Sequence, residues 1–204
     1  MKAAVYFDLE TGGVGDSRPD IQLAAIAIDE GTWAELATFE VKLKFDEKAA
    51  DPAALELNGY QAEVWAKEGV APAVAIASFS SFLNRFRSLQ MMSKRTQKPY
   101  TVAKLVGHNA ASFDGPRLKR LFERHSMFLP ADPRVRCTCQ RAMWFFDAHG
   151  IAPPEDFKLA TLCRYFGIQA AAAHEALTDV RSTIALARAI EQAEKATAKE
   201  PAAT

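Results

Sequence analysis

The chain has 204 residues, 49% of them hydrophobic and 25% charged, with 25 Lys and Arg balanced by 25 Asp and Glu. That length suits one domain with a sizeable core, and the composition is that of an ordinary globular protein, which excludes collagen-like and low-complexity classes. A formal net charge of zero neither demands nor excludes a nucleic-acid partner, because the field inside a groove matters more than the sum.

No apolar run approaches membrane-spanning length, and the first residues lack a charged segment leading into a signal-type apolar core. The expectation is therefore no membrane and a cytoplasmic location. The three cysteines, Cys137, Cys139 and Cys163, are odd in number and lack zinc-type spacing, so they read as ordinary thiols in a reducing compartment. Basic clusters occur at Lys94, Arg95 and Lys98, at Arg117, Lys119, Arg120 and Arg124, and at Arg134, Arg136 and Arg141. Each by itself reads as a solvated helix face or loop.

Ala3 to Phe7 is a continuous apolar run and predicts a strand buried on both faces, hence central in a sheet. It ends in Asp8 and Glu10, followed by Thr11, Gly12 and Gly13. Residues two apart on a strand share a face, so the two acids project together at its C-terminal end. Like charges placed side by side are costly unless a cation sits between them, and a divalent metal answers that need. A pair of acids at a solvated strand end is the plainer alternative. The glycines turn the chain and permit backbone amides to approach a ligand.

Ile21 to Ile28 predicts a second strand, and Asp29-Glu30-Gly31 an antiparallel turn. In the third strand Phe39, Val41, Leu43 and Phe45 alternate with Thr38, Glu40, Lys42 and Lys44, the pattern of a half-solvated edge. A short helix from Pro52 ends at Asn58-Gly59, and a longer one from Pro72 carries Phe79, Phe82, Leu83, Phe86 and Leu89 as a core stripe. Gln90 to Pro99, polar and aperiodic, predicts an exposed loop or extension.

Val102 to Val106 predicts a fourth strand, delivering Gly107-His108-Asn109 and then Ser112-Phe113-Asp114 at the start of a helix that buries Leu118, Leu121 and Phe122. Asp114 taken alone would serve as an N-cap. After a loop from Phe128 to Arg136, a helix from Thr138 to Ala148 turns Ala142, Met143, Phe145 and Phe146 inward. Another spans Lys158 to Phe166 and stops at Gly167. The stretch His174 to Asp179 opens a last helix faced by Leu177, Val180, Ile184, Ala187 and Ile190. From Glu194 to Thr204 nothing apolar recurs, which predicts a disordered tail behind a single domain at 1–193. Strands first, then a strand–helix crossover and helices, predict an α/β fold with helices packed on a mixed sheet.

Three separated stretches thus place acids at element ends: Asp8 with Glu10, Asp114, and Asp179 with His174. Hard cations take oxygen ligands and keep waters, so such carboxylates suit Mg²⁺, two of which can act on a phosphodiester. A neutral histidine nearby can accept a proton from water.

In this order and context, Phe7-Asp8-Leu9-Glu10-Thr11-Gly12, Gly107-His108-Asn109 with Phe113-Asp114, and His174 with Asp179 resemble the three motifs of the DEDDh (DnaQ-like) 3′–5′ exonucleases. The resemblance runs from about Ala3 to Ile190. It departs in the Ala-rich run Ala170 to Ala173 before His174. It implies an RNase H-like α/β/α sandwich with a mixed five-stranded sheet, and two divalent metal ions, Mg²⁺ or Mn²⁺, as cofactors.

It implies further that Asp8 bridges both ions, that Glu10 and Asp179 complete the coordination of the first ion while Asp114 serves the second ion, and that His174 is the general base. Thr11 and Gly12 would hold the terminal nucleotide through backbone, with Asn109 positioning it. His108, His125 and His149 read as structural. The implied activity is hydrolysis of DNA from a free 3′ end to nucleoside monophosphates, with single-stranded DNA the expected partner. Trimming of RNA ends and a polymerase-associated proofreading module are the alternatives. Phosphate contacts are expected from residues such as Lys104, Arg117 or Lys119.

Overall fold

A computed structural model describes residues 2–169 and 175–197. The chain opens with three strands, β1 (Ala3–Thr11), β2 (Asp20–Asp29) and β3 (Glu35–Lys42), followed by helices α1 (Pro52–Leu57), α2 (Ala62–Glu68) and α3 (Pro72–Arg85). Strands β4 (Arg87–Met92), β5 (Pro99–Ala103) and β6 (Leu105–Gly107) lead into α4 (Asp114–Arg124) and the two-residue strand β7 (Arg136–Cys137). Helices α5 (Thr138–His149), α6 (Leu159–Tyr165) and α7 (Ala176–Thr197) complete the described chain.

The main sheet has five strands in the order β3-β2-β1-β6-β7. β2 is antiparallel to β1 and β3, whereas β6 is parallel to β1 and β7 to β6. The apolar first run therefore becomes the central strand, as its two-sided burial requires, and the alternating third run becomes an edge. Its odd-numbered side chains Val5, Phe7 and Leu9 enter one core with Phe79 and Leu83 of α3 and Leu118 and Phe122 of α4. The even-numbered Ala4 and Tyr6 enter another, beneath Ala176, Val180 and Ala187 of α7. A third core joins α5, α6 and α7 through Phe146, Leu162 and Ile190. Each fully buried large side chain such as Phe7 or Phe79 contributes about 1.5–3 kcal/mol. The result is an α/β/α sandwich organised about β1.

Several elements differ from the sequence-based expectation. The stripe on the third helix does not extend to Leu89: α3 stops at Arg85, and Leu89 lies on β4. The stretch expected as a loop contributes to a hairpin, β4 paired antiparallel with β5 and closed by residues 93–98. The fourth strand is likewise divided at Lys104, with Pro99–Ala103 in this hairpin and Leu105–Gly107 in the main sheet. Met143 is 41% exposed instead of inward-facing. The last helix continues through Thr197, four residues into the expected tail, where Glu194 forms a two-point ion pair with Arg141 of α5 at 2.6 and 3.0 Å. Among the described residues no helix is long and apolar enough to cross a membrane.

Candidate active site

Alternation along β1 turns Asp8 and Glu10 to the same face as Ala4 and Tyr6, the face that α7 covers. The first turn of α7 carries Asp179 to the same end of the strand. Carboxylate oxygens of Asp8, Glu10 and Asp179 lie within 4.8 Å of one another.

Asp114 arrives from the other side. β6 ends at Gly107, before the level of Leu9, and the Leu9 amide there favours the charged form of the Asp114 carboxylate. Asp114 is the first residue of α4 and is buried. Its carboxylate is the one Asp8 senses most strongly, whereas Glu10 senses Asp179 before Asp114. Asp8 thus feels all three of the other carboxylates.

Electrostatics record the cost of this arrangement. Burial, followed by repulsion from Asp114, Glu10 and Asp179, pushes the Asp8 carboxyl well above the ordinary carboxylate range. Burial and then Asp179 and Asp114 raise Glu10 to about 7. Burial also raises Asp114 to about 7, against the opposing effect of its own amide, the Leu9 amide and the Arg117 charge. Among the described residues no Lys, Arg or His forms an ion pair with Asp8, Glu10 or Asp114. Converging carboxylate oxygens are the donor set that a hard divalent cation takes. Asp8, Glu10 and Asp179, whose oxygens converge, fit such an ion, and Asp114 lies outside that closest group.

The turn after β1 is held by its own contacts. The Thr11 hydroxyl donates to the Gly13 carbonyl at 2.9 Å, and the Thr11 carbonyl accepts from Asn58 Nδ2 at 2.9 Å. The Gly12 amide donates to the Pro19 carbonyl and its carbonyl accepts from the Asp51 amide. A Cβ on Gly12 would stand 2.7 Å from the Ala50 Cβ, so the missing side chain serves internal packing and the amide is not the ligand donor expected of it. Asn58, which the sequence marked only as the end of a short helix, supports this turn. It also lines a cleft of 350 Å³ with Gln22, Gln61, Trp65 and Glu175, beside the cluster.

Asn109 is exposed with a left-handed backbone (φ 54), its carbonyl accepting from the Ser112 and Phe113 amides and its Oδ1 from the Ser112 hydroxyl. His108 bonds Thr138 Oγ1 through Nδ1 and the Phe157 carbonyl through Nε2, both at 2.9 Å. A carbonyl can only accept, so Nε2 carries the proton and Nδ1 accepts from Thr138. Burial lowers the His108 pKa, in keeping with a structural, neutral imidazole. His174 lies outside the described residues.

Two of the expected phosphate contacts are otherwise engaged. Arg117 is buried against Asp20 at 2.9 Å, and Lys104 bonds both oxygens of Glu30 at 2.7 Å near the opposite end of β1. Lys119 is exposed, 3.6 Å from Glu123 on the same helix.

Comparison with solved structures then places the architecture. The zinc-bound form of the E. coli exonuclease I–ssDNA complex matches with a TM-score of 0.74 and 22% identity over 96% of this chain. The fold is shared with E. coli exonuclease I. The same enzyme in complex with a dT13 oligonucleotide matches with a TM-score of 0.71 and 21% identity over 97% of this chain. An ExoI/SSB-Ct complex matches with 0.71 and 20% over 96%. At these identities the likeness is one of fold. The chain spans 42% of the length of each of those exonuclease I chains. No protein-family model and no curated protein matches the sequence.

Proposed function

We propose that this chain is a 3′–5′ exonuclease of the DEDDh type, hydrolysing single-stranded DNA from its 3′ end to nucleoside monophosphates. The observation that supports the reading is the convergence of the Asp8, Glu10 and Asp179 carboxylates at one end of β1, with Asp114 close enough to raise Asp8 further. Divalent ions, when bound there, supply charge neutralisation at the phosphoryl oxygens and a more acidic water.

The chain's own part is to hold and to orient. Asp8, Glu10, Asp114 and Asp179 would hold the ions. The Thr11–Gly12 turn, locked from behind by Asn58, Pro19 and Asp51, forms a rigid end wall at which the terminal nucleotide would stop. Asn109, exposed beyond β6, would position that nucleotide. His174 would accept the proton of the attacking water, whose oxygen bonds to phosphorus as the P–O3′ bond breaks and the released 3′ oxygen is protonated from solvent. The exonuclease I neighbours, crystallised with ssDNA and dT13, support single-stranded DNA as the substrate class.

A 5′-labelled single strand, a circular single strand and an RNA of the same sequence, each with Mg²⁺ and with chelator, test the reading. The expected result is a descending ladder from the linear DNA, an intact circle and no cleavage in chelator. Full activity with metal verified as absent, or cutting of the circle at the linear rate, overturns it. Faster degradation of the RNA would move the substrate to RNA ends.

A further inference from the structure

On the same sheet face as the carboxylates, toward the opposite end of β1, a cleft of 520 Å³ opens between the sheet and helices α5 and α7. None of Asp8, Glu10, Asp114 or Asp179 lines it. Its volume lies within the roughly 300–1,000 Å³ of small-molecule sites.

Its lining has a consistent chemistry. Trp144 of α5 is 74% exposed at its edge, an unusual position for the residue with the largest apolar surface. Lys104, Arg136 and Arg141 line it against one carboxylate, Glu30. Lys104 and Arg141 are held by Glu30 and Glu194, but Arg136 engages Asp132 and the Arg134 carbonyl through Nη1 alone. Among the described residues its Nε and Nη2 have no hydrogen-bond partner. At the floor stands Tyr6, 6% exposed, whose hydroxyl likewise has no hydrogen-bond partner among the described residues. Among the described residues no buried side-chain nitrogen or oxygen is left without a partner, so this hydroxyl opens on the cleft, where an entering acceptor would meet it.

We propose that this cleft is a second ligand site, taking a nucleoside phosphate: the base stacked on Trp144, the phosphate met by Arg136 and the Tyr6 hydroxyl. The pieces answer different parts of such a ligand. An indole face suits any base, a guanidinium fork suits phosphate oxygens, and the Tyr6 hydroxyl donates to an anion. The shared chemistry is that of a free mononucleotide and of a phosphate-bearing end of a strand.

Equilibrium dialysis of labelled dAMP against the whole protein in chelator tests this without hydrolysis, and it is blind to whether the chain is a nuclease. Wild type and Asp8→Asn should bind dAMP alike. Trp144→Ala, at a side chain already largely exposed, should bind about 5- to 150-fold more weakly, the equivalent of one base–aromatic stack. Tyr6→Phe, which keeps the buried ring, should bind about tenfold more weakly through loss of a charge-assisted hydrogen bond. Unchanged melting temperatures establish that both variants are folded. A 5′-phosphorylated dA4 that binds about tenfold tighter than dAMP assigns the site to a strand, and equal affinity assigns it to the free nucleotide. Absence of saturable dAMP binding overturns the proposal. So does binding that Asp8→Asn abolishes and Trp144→Ala leaves intact.

Discussion

Arg117 of α4 and Asp20 at the head of β2 form a buried ion pair at 2.9 Å, with both side chains almost wholly out of solvent. Arg117 also donates to the carbonyls of Gly15 and Arg18, and the second Asp20 oxygen accepts from Arg124. This guanidinium straps the loop after β1 to the helix that begins at Asp114, so it ties two parts of the carboxylate cluster together. Arg117→Ala strands the Asp20 charge and should cost roughly 3–5 kcal/mol of stability in urea unfolding. Arg117→Lys, which keeps the charge but loses the fork, should recover only part of it. A loss below about 1 kcal/mol for the alanine variant would mean that the pair is not structural.

The raised carboxyls set a pH dependence with a definite sign. Glu10 and Asp114, both held to about 7 chiefly by burial, keep protons in the folded state that the unfolded chain releases near its ordinary carboxylate pKa. Their contribution to stability is complete below about pH 4 and is lost as pH rises through about 7. In chelator, Asp8→Asn should therefore melt higher than wild type at pH 8, with the difference shrinking toward pH 4. Mg²⁺ at pH 8 should raise the wild-type melting temperature more than that of the variant. Melting curves across pH, with and without metal, decide it; a difference that grows on acidification contradicts the assignment.

Gly12 is needed for fit. Its Cβ position lies 2.7 Å from the Ala50 Cβ and 2.9 Å from the Pro19 Cγ, in a turn pinned by Pro19 and Asp51 backbone bonds. Gly12→Ala should cost about 1–3 kcal/mol by overpacking. Adding Ala50→Gly should return part of that loss, and a double-mutant cycle with no coupling would show that the clash relaxes elsewhere.

His174 is the position whose role rests on the sequence motif. As a general base, His174→Asn should lower single-turnover cleavage by roughly 10²–10⁴-fold and leave oligonucleotide binding and melting temperature near wild type. The rise of the wild-type rate with pH, as an imidazole loses its proton, should vanish in the variant. Near-normal turnover in a stable variant removes His174 from the chemistry.

The central strand, the edge strand and the apolar stripes of the helices were legible in the sequence because burial on one or two faces imposes period-two or period-3.6 patterns locally. Phe39 and Val41 against core, Leu118 and Phe122 beneath α4, and Val180 and Ala187 beneath α7 all follow from such patterns. The β4–β5 hairpin was not legible. Most of its residues are exposed or half-solvated, and their pairing joins segments across a charged turn without a sustained apolar period. Nor was β7, whose two residues are too few to carry any period. The same limit applies to Arg117: a basic residue in a basic helix reads as solvated, and only the return of β2 beside α4 converts it to a buried strap.

By itself the sequence determined which acids were available and that each stood at the end of a strand or helix, since these are properties of neighbours along the chain. Only the tertiary structure decided that they meet. Asp8 and Glu10 share a face by local alternation, but Asp179 reaches them because α7 crosses that face, and Asp114 comes near Asp8 because α4 begins just after β6 has ended. The burial that chiefly raises Asp8 and Glu10, and the repulsion from Asp114 and Asp179 that adds to it, are likewise properties of packing between residues far apart in sequence. The cleft at Tyr6 and Trp144 belongs wholly to the second kind, because a strand residue and a helix residue more than a hundred positions apart line one space only after the sheet and α5 have packed.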